Sequence, residues 1–212
     1  MGDEARSDLI FMNPILLDFP DSFDTDRLTI RAPHYADAHE VMTAVNESLA
    51  ELRQWMPWAA APAELETTQA RLRASMARWI TREDLLLHAY LKGTSTFVVG
   101  SGLHRIDWHA RKFEIGYWCR TSYSGNGYVT EATNAITAFA FKQLQANRVE
   151  IKCDTRNARS VAVAKRCGFL QEAILRHDDL DVDGNLRSTY LFSKISPNEF
   201  NYYTADGQAS EG

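Results

Sequence analysis

The sequence has few of the features that would place it in a membrane or in an oxidising compartment. Its apolar stretch Leu9–Leu17 is interrupted by Asn13 and Pro14 and is too short to span a bilayer. This stretch also lacks the basic front of a signal peptide. An odd number of cysteines without a Cys-x-x-Cys pair indicates free thiols in a reducing compartment, and these are Cys119, Cys153 and Cys167. We therefore expect a cytoplasmic protein without a membrane partner.

The chain also lacks a run of basic residues. Lys and Arg together number 23 against 28 Asp and Glu, so the formal net charge is −5. Because proteins that grip nucleic acid usually present a basic face, no direct nucleic-acid binding is expected. His104 and His109 lie an odd number of residues apart and would face opposite sides of one strand, so this pair predicts no metal site.

No internal repeat and no low-complexity linker divides the 212 residues. This length fits one α/β domain with extensions. We predict an N-terminal extension over residues 1–22, a single domain over residues 23–195 and a flexible C-terminal tail over residues 196–212.

Hydrophobic periodicity predicts a mixed α/β order rather than a strict βαβ alternation. A strand at Asp26–Ala32 precedes two helical segments, and the second segment places Leu72, Met76, Trp79 and Ile80 on one stripe. Three mainly antiparallel strands are then predicted at Leu85–Leu91, Thr96–Ile106 and Lys112–Arg120. The remaining predicted elements are a helix, a strand, a short helix and two strands, at Glu131–Gln145, Arg148–Asp154, Ala158–Cys167, Phe169–Leu180 and Leu186–Ile195. Asn157 is the expected N-cap of the short helix, and Gly168 is its expected C-terminal stop.

The stretch RTSYSGNGYVTEA, at Arg120–Ala132, is typical of a loop that cradles phosphate and leads into a helix. A P-loop requires Gly-Lys-Ser/Thr, but Tyr128 and Val129 follow Gly127. A dinucleotide-binding loop requires a third glycine, and Thr130 fills that position. The remaining alternatives are a loop whose N–H groups bind a pyrophosphate and a simple turn from strand to helix.

The sequence around this loop resembles the GNAT acetyltransferases, and within them the RimJ/RimL-type group that includes ribosomal-protein N-terminal acetyltransferases. The resemblance is carried by FEIGYWCRTSYSGNGYVTEA and by IKCDTRNARSVAVAKRCGF further on. DTDRLTIRAPHYADA and ELRQWMPWA resemble the group's first strand and its tryptophan-containing segment. The likeness runs from Phe23 to Ile195. It implies the GNAT fold, which is a mixed and mostly antiparallel central sheet flanked by helices.

The resemblance implies that the loop binds the pyrophosphate of acetyl-coenzyme A, with no metal required. The implied pyrophosphate cradle is Ser124, Gly125, Asn126, Gly127, Tyr128 and Val129. Tyr117, Trp118 and Cys119 are expected beside the pantetheine arm, with Asn157 and Ser160 facing it from the second helix. Lys165 is a candidate for the nucleotide end, with a solvated helix charge as the alternative. Ser122 departs from the family's Gln or Arg, which leaves the loop more dependent on backbone donors.

The implied reaction transfers an acetyl group from a thioester to an uncharged amine. Such a reaction needs an oxyanion donor and groups that move protons. The backbone at Trp118 and Cys119 is the expected oxyanion donor. Glu114 is the first candidate for the general base, with a surface strand carboxylate as the alternative, and Asp179 is the second. The tyrosine that many family members use as acid is replaced by Ala164, so Ser160 is the candidate that protonates or solvates the leaving thiolate.

The leading hypothesis is therefore an acetyl-coenzyme A-dependent N-acetyltransferase acting on a primary amine by direct attack in a ternary complex. The acceptor is either a protein N-terminus or a small molecule, since the fold does not define the substrate. The acidic stretch Asp178–Asp183 suits a cationic acceptor of either kind. The alternative is a non-catalytic module that senses acetyl-coenzyme A or binds a partner. Enzymes of this type often form a homodimer through a sheet edge or helices, and the sequence names no such surface.

Overall fold

The computed structural model describes residues 13–195, and eight strands within them form one sheet. The strands are β1 (Ser22–Asp24), β2 (Leu28–Arg31), β3 (Leu85–Leu91), β4 (Phe97–Asp107), β5 (Lys112–Cys119), β6 (Arg148–Asp154), β7 (Leu170–Leu180) and β8 (Leu186–Ile195). Their order across the sheet is β1-β2-β3-β4-β5-β6-β8-β7. Neighbours pair antiparallel, except that β5 pairs parallel with β6. The predicted mixed, mostly antiparallel sheet is confirmed.

Helices connect the strands where the polar and apolar spacing predicts them. They are α1 (Ala38–Glu47), α2 (Leu49–Leu52), α3 (Leu65–Thr81), α4 (Tyr128–Gln143) and α5 (Ala158–Arg166). Helix α5 begins where the Asn157 side chain accepts a hydrogen bond from the Ser160 N–H at 3.0 Å, so the predicted N-cap is confirmed. The helix is followed by Gly168, whose φ of +74° is the left-handed conformation expected of a glycine that stops a helix.

Two apolar clusters divide the core between the faces of the sheet. The larger cluster joins buried residues of β2–β6, such as Phe113 and Ile115, to α4 residues such as Ile136. The smaller cluster packs Val41 and Val45 of α1 against aromatic rings on β3 and β4. Because side chains alternate along a strand, β5 presents Phe113 and its odd-numbered neighbours to α4, and its even-numbered residues to the opposite face.

The stripe predicted on α3 is only partly correct. Leu72 and Trp79 are buried, and Thr68 and Ser75 complete the buried face. Met76 is half-buried, whereas Ile80 keeps 65% of its surface exposed. Ile80 follows Trp79 by one residue, which turns it about 100° away around the helix axis.

The parallel pairing of β5 with β6 covers only a few residues. It runs from Lys112 opposite Arg148 to Glu114 opposite Glu150. β4 continues to pair with β5 as far as Cys119, and β8 continues to pair with β6 as far as Asp154. The two central strands therefore separate after Glu114, and the gap between them opens towards the glycine loop.

The chain before β2 packs on the domain from residue 13 onward. Phe19 contacts the rings of Trp79 and Phe139, and Leu17 accepts a hydrogen bond from Arg82 at 2.7 Å. The predicted boundary at residue 23 stays a prediction, and the remainder of the predicted extension and the predicted tail lie outside the described residues. No helix within residues 13–195 is long and apolar enough to cross a membrane.

Candidate active site

The glycine loop lies between the end of β5 and the start of α4. Gly125 and Gly127 have φ values of +81° and +80°, a left-handed conformation that glycine adopts without steric cost. A Cβ at Gly125 would have no atom within 4 Å, so the outer side of the loop is open. The first N–H groups of α4 have no intrahelical acceptor and carry the positive end of the helix dipole. The loop is therefore a cradle of N–H donors for an anion.

Arg27 and Glu131 hold this loop from behind. The Glu131 carboxylate accepts hydrogen bonds from Thr25 Oγ1 at 2.6 Å, the Arg27 N–H at 3.0 Å and Arg27 Nε at 2.6 Å. Arg27 Nη1 donates to the carbonyl of Asn126 at 3.0 Å. In a trans peptide the carbonyl and the following N–H point in opposite directions, so the Gly127 N–H points away from Arg27. We call Thr25, Arg27 and Glu131 the loop clamp.

A second set of contacts ties the start of the loop to α1. Arg120 donates to Glu40 at 2.8 Å and to Glu47 at 2.7 Å. The Ser122 N–H donates to Glu47 at 2.9 Å. Burial alone would raise the pKa of Glu47, but the hydrogen bonds from Ser122 and Arg120 lower it below its ordinary value. The backbone donor of Ser122 is therefore engaged inside the protein.

Tyr117 and Ser160 meet across the gap between β5 and β6, because Ser160 lies in the first turn of α5, the helix that follows β6. The Tyr117 hydroxyl donates to the Ser160 carbonyl at 3.0 Å and lies 3.1 Å from Ser160 Oγ. Burial raises the pKa of Tyr117, so its phenol stays protonated at neutral pH. The position of the missing family tyrosine, Ala164, is fully buried on the same helix. A tyrosine hydroxyl thus reaches Ser160 from β5 instead.

Two cysteines lie close to this pair. Burial raises the pKa of Cys153, which a hydrogen bond to Ser160 partly offsets. Burial also raises the pKa of Cys119, with Ser124 as its hydrogen-bonding neighbour. Since the thiolate is the reactive form, Cys153 is best described as a small buried thiol and Cys119 as a half-buried one.

Glycines lie side by side on the face of β4 and β5 that points away from α4. We call this the glycine-floored face, and it is defined by Gly100, Gly102 and Gly116. Gly100 is paired with Trp118 and Gly102 with Gly116. A Cβ on Gly100 would lie 2.1 Å from Trp118 Nε1, so the indole lies flat over that glycine. Trp118 also packs against Phe97, with ring centroids 5.1 Å apart. The Trp118 indole thus covers the Gly100 end of the glycine-floored face.

Trp58 extends this aromatic wall. Its ring centroid lies 6.1 Å from that of Trp118, and the Arg71 guanidinium lies 5.2 Å from its ring centre. Trp58 keeps 45% of its surface exposed, whereas Met56 of the same segment packs into the smaller apolar cluster. The tryptophan-containing segment therefore places Trp58 at the surface and Met56 against the core.

The two carboxylates proposed as bases lie apart and are both ion-paired. Glu114 accepts from Arg105 and lies 3.6 Å from Lys152 Nζ. Asp179 accepts from Arg187 at 2.7 Å and is 60% exposed. In the acidic stretch, Asp181 pairs with Arg156 at 3.2 Å and accepts two backbone N–H groups of its own turn. Part of the negative charge predicted to attract a cationic acceptor is thus engaged within the fold.

The other predicted site residues occupy the ends of helices. Asn157 caps α5 through its side chain, and Lys165 is exposed in the last turn of the same helix. Tyr128 begins α4 and lies under the Arg27 guanidinium, 4.5 Å from its centre. Val129 packs against the larger apolar cluster. Residues 13–195 hold no group of three or more His, Cys, Asp or Glu side chains that could bind a metal ion.

Sequence reasoning missed the loop clamp and the pairing of His104 with Asp84. The clamp joins two motifs that were recognised separately, and its residues lie about a hundred positions apart in the chain. His104 Nδ1 lies 2.7 Å from the Asp84 carboxylate. The sequence signal that could have indicated this region is the alternation of Gly100, Gly102 and His104, which places all three on one face of β4.

Comparison with known proteins identifies the family. The model of the acetyltransferase (GNAT) domain matches residues 27–170. YdaF of Bacillus subtilis (strain 168), which carries the name of a ribosomal N-acetyltransferase, is 30% identical over 177 residues, covering 80% of this chain and 92% of that one. The chain belongs to the GNAT acetyltransferase family and is an N-acetyltransferase of its RimJ/RimL-like group.

Solved structures show the same fold. The microcin C7 self-immunity acetyltransferase MccE, solved with acetyl-CoA and AMP, superimposes with a TM-score of 0.77 at 25% identity, covering 84% of this chain and 97% of that one. RimL, a ribosomal alpha-N-protein acetyltransferase solved with coenzyme A, superimposes with a TM-score of 0.75 at 19% identity, covering 81% and 96%. At that identity the likeness to RimL concerns the fold alone.

Proposed function

We propose that the protein transfers the acetyl group of acetyl-coenzyme A to a primary amine by direct attack in a ternary complex. One observation carries the proposal. The open glycine loop follows directly on β5, at the place where β5 has separated from β6 and faces Ser160 across the gap. A long thioester with an anionic end fits this continuous path from an N–H cradle into a gap between strands.

The loop supports binding of the pyrophosphate. Gly125 through Val129 offer backbone N–H groups at a helix N-terminus, whereas the Ser124 N–H donates to the Thr121 carbonyl at 3.0 Å and leaves Ser124 its hydroxyl. The loop clamp orients the Gly127 N–H. Tyr117, Trp118 and Cys119 would then run beside the pantetheine arm, with Asn157 and Ser160 on its other side. Lys165 is the proposed contact near the nucleotide. MccE, a family relative in fold, is solved with acetyl-CoA.

The acetyl carbonyl is proposed to lie at the end of β5, where a backbone N–H at Trp118 or Cys119 stabilises the oxyanion. Ser160 is the group proposed to donate a proton to the departing thiolate. Its hydroxyl is held by Tyr117, and its backbone N–H is held by Asn157. Both contacts leave the Ser160 side chain facing the gap. Glu114 and Asp179 are the proposed carboxylate bases, acting through water.

A protein N-terminus is the acceptor that we propose first. YdaF and RimL both carry names of enzymes that act on ribosomal proteins, which supports this choice. Trp58 keeps 45% of its surface exposed beside Trp118, so this edge of the glycine-floored face is accessible to a peptide end. A small-molecule amine is the second candidate, and the net charge of −5 favours either cationic acceptor over a nucleic acid. If the acceptor is the N-terminus of a ribosomal protein, the enzyme acts in the cytoplasm, which is the location that we propose.

Release of free thiol from acetyl-coenzyme A tests the proposal. The acceptors are N-terminal peptides, polyamines and amino-sugar antibiotics, each tested separately. Thiol release with peptides alone would support the first choice, and release with one small amine would support the second. Tight binding of acetyl-coenzyme A without release for any acceptor would contradict the proposal and favour a sensor or partner-binding module.

We also propose that two copies pair through β7. This strand forms the edge of the sheet, and an unpaired edge can add a strand from a second copy. It exposes Leu170 and Ile174, which keep 71% and 52% of their surfaces accessible. Light scattering on the wild type and on Ile174→Lys tests this assembly. A wild-type mass of one chain would contradict it.

A further inference from the structure

His104 and Asp84 form a pair beside the glycine-floored face. His104 Nδ1 lies 2.7 Å from Asp84 Oδ2, and the two side chains are 28% and 24% exposed. Because a carboxylate only accepts hydrogen bonds, Nδ1 carries the hydrogen in this contact. In the neutral ring, Nε2 therefore keeps its lone pair. The carboxylate both orients the ring and stabilises it once a proton has been added.

The His104 ring lies over Gly102 of β4 and Gly116 of β5, two residues that have no side chain. Its Nε2 is 2.9 Å from the position that a Cβ on Gly102 would occupy and 3.6 Å from the same position on Gly116. Any larger residue at Gly102 would meet this ring. The two glycines thus leave room for the ring, and the His104 side chain keeps 28% of its surface exposed.

This place lies next to the proposed thioester. Gly116 follows Glu114 by two residues, immediately after the parallel pairing of β5 and β6 ends. At about 3.3 Å per residue, Gly116 lies about 7 Å from Trp118 along the strand, whereas Glu114 lies about 13 Å from it. The imidazole therefore lies at the level of Gly116, two residues closer to Trp118 along β5 than the Cα of Glu114.

We propose that His104 is the general base of the acetyl transfer and that Asp84 is its positioning residue, an inference that rests on the proposed function. Nε2 takes one proton from the acceptor ammonium, and the resulting amine attacks the thioester carbonyl. As the C–N bond forms and the C–S bond breaks, the thiolate leaves with the sulfur electron pair. The second amine proton passes to that thiolate, with Ser160 as the relay. The imidazolium then returns its proton to water.

An imidazole base matches one class of acceptor better than another. A free α-amino group has a pKa near 7.7–8.0, whereas a lysine side chain has one near 10.4 and histidine one near 6.5. Proton transfer to imidazole is therefore unfavourable by a factor of about 10¹·⁵ from an α-ammonium but by about 10⁴ from an alkyl ammonium. This difference points to a peptide N-terminus as the acceptor.

Several charged groups lie near His104. Asp84 precedes β3, and Glu114 lies directly opposite His104 in the register of β4 with β5. Arg105 and Lys152 neutralise Glu114 from β4 and β6. Asp84 is the carboxylate in direct contact with the His104 ring.

The test measures the rate of thiol release with an N-terminal peptide across pH 5.5–9. His104→Gln is expected to lower turnover about 10²-fold or more at neutral pH and to remove the acidic limb of the kcat/KM profile. Asp84→Asn should lower turnover by a smaller factor, and it should move the acidic limb of the kcat/KM profile to a different pH. Added imidazole should restore part of the turnover of His104→Ala. Dissociation constants for acetyl-coenzyme A, measured by calorimetry, should be unchanged in all three variants, which separates a chemical defect from misfolding.

His109→Gln is the matched control, because His109 is exposed in the turn after β4. It should keep wild-type turnover. If His104→Gln keeps both the rate and the acidic limb while Glu114→Gln loses them, His104 is not the base and the inference is overturned. If the wild type releases no thiol with any of the acceptors, the proposed function fails, and this inference fails with it.

Discussion

The hydroxyl oxygen of Tyr117 lies 3.1 Å from Oγ of Ser160, across the gap where β5 and β6 have separated. Tyr117 comes from the sheet and Ser160 from the first turn of α5, so the contact joins both sides of the proposed thioester site. Since Tyr117 also donates to the Ser160 carbonyl, its own hydrogen is engaged. The Ser160 hydroxyl then donates to the Tyr117 oxygen in this contact, and it must turn from that oxygen to donate to a thiolate.

Ser160→Ala should therefore lower turnover much more than it weakens binding of acetyl-coenzyme A. We expect a loss in kcat of about 10²-fold, the lower range for a positioned acid. The backbone N–H of residue 160 still donates to Asn157, so the helix cap and the fold should persist. Steady-state kinetics with calorimetric binding checks this. Tyr117→Phe is the companion variant, and unchanged turnover in Ser160→Ala would remove Ser160 from the mechanism.

Gly100→Ala should destabilise the protein and displace Trp118. The added Cβ would lie 2.1 Å from Trp118 Nε1 and 2.7 Å from its Cε2, which is closer than any real contact. Overpacking of this kind costs about 1–3 kcal/mol in the free energy of unfolding. Urea denaturation measures that loss, and near-ultraviolet circular dichroism reports the indole. Combining Gly100→Ala with Trp118→Phe should recover part of the stability, and a purely additive loss would contradict this account.

Local patterns predicted most of the sheet, whereas contacts between distant segments were not visible in them. The predicted strands Leu85–Leu91, Arg148–Asp154 and Leu186–Ile195 agree with the structure in both ends, because turn residues bound each apolar run. β1 was missed since its three residues are too short for a periodic signal and depend on pairing with β2. Ile80 was misplaced because a helix stripe has no sharp edge in sequence.

In the site, too, local motifs were predicted from the sequence, whereas contacts between distant segments were not. Gly125, Gly127 and Ser160 lie in continuous motifs, so the sequence predicted the loop and the helix that face each other. The contacts of Glu131 with Arg27 and of His104 with Asp84 depend on strand order and register. Those are set by burial of the whole sheet rather than by any neighbouring residue, which is why a single sequence did not indicate them.

Loss of the loop clamp should weaken binding of the pyrophosphate specifically. Burial alone would raise the pKa of Glu131, but hydrogen bonds from Thr25 and Arg27 lower it, so the carboxylate is ionised in the clamp. Arg27→Met and Glu131→Gln should each raise KM for acetyl-coenzyme A roughly tenfold, as loss of a charged hydrogen bond predicts. Activity with S-acetylpantetheine, which has no pyrophosphate, should change little.

The matched control for the clamp is Arg31→Met, at the end of β2, the strand that follows Arg27. Arg31 forms a comparable ion pair with Asp37 at 2.7 Å, away from the loop. It should leave the ratio of kcat/KM for the two thioesters unchanged. An equal loss with both thioesters in Arg27→Met would show that the clamp supports the fold rather than the orientation of the loop.

The stability of the protein should depend on pH through His88. Burial lowers the pKa of His88 to about 3, with Asp37 opposing the shift and Arg71 and Arg31 adding to it. Above about pH 6.5 the ring is neutral in both the folded and the unfolded chain, so it contributes no pH dependence. Between about pH 6.5 and 3 only the unfolded chain binds the proton. The free energy of unfolding should then fall by up to about 1.4 kcal/mol per pH unit as the pH decreases.

Urea denaturation at intervals between pH 7 and 5 measures this slope, in a range where most carboxylates remain ionised in both states. His88→Phe should flatten it, because a ring of similar size can pack edge-on against Phe97, whose centroid lies 5.0 Å away. His109→Gln, an exposed histidine, should leave the wild-type slope intact. His88 lies opposite Gly100 in the register of β3 with β4. If the free energy of unfolding of the wild type did not change between pH 7 and 5, water would reach the His88 ring and this account would be contradicted.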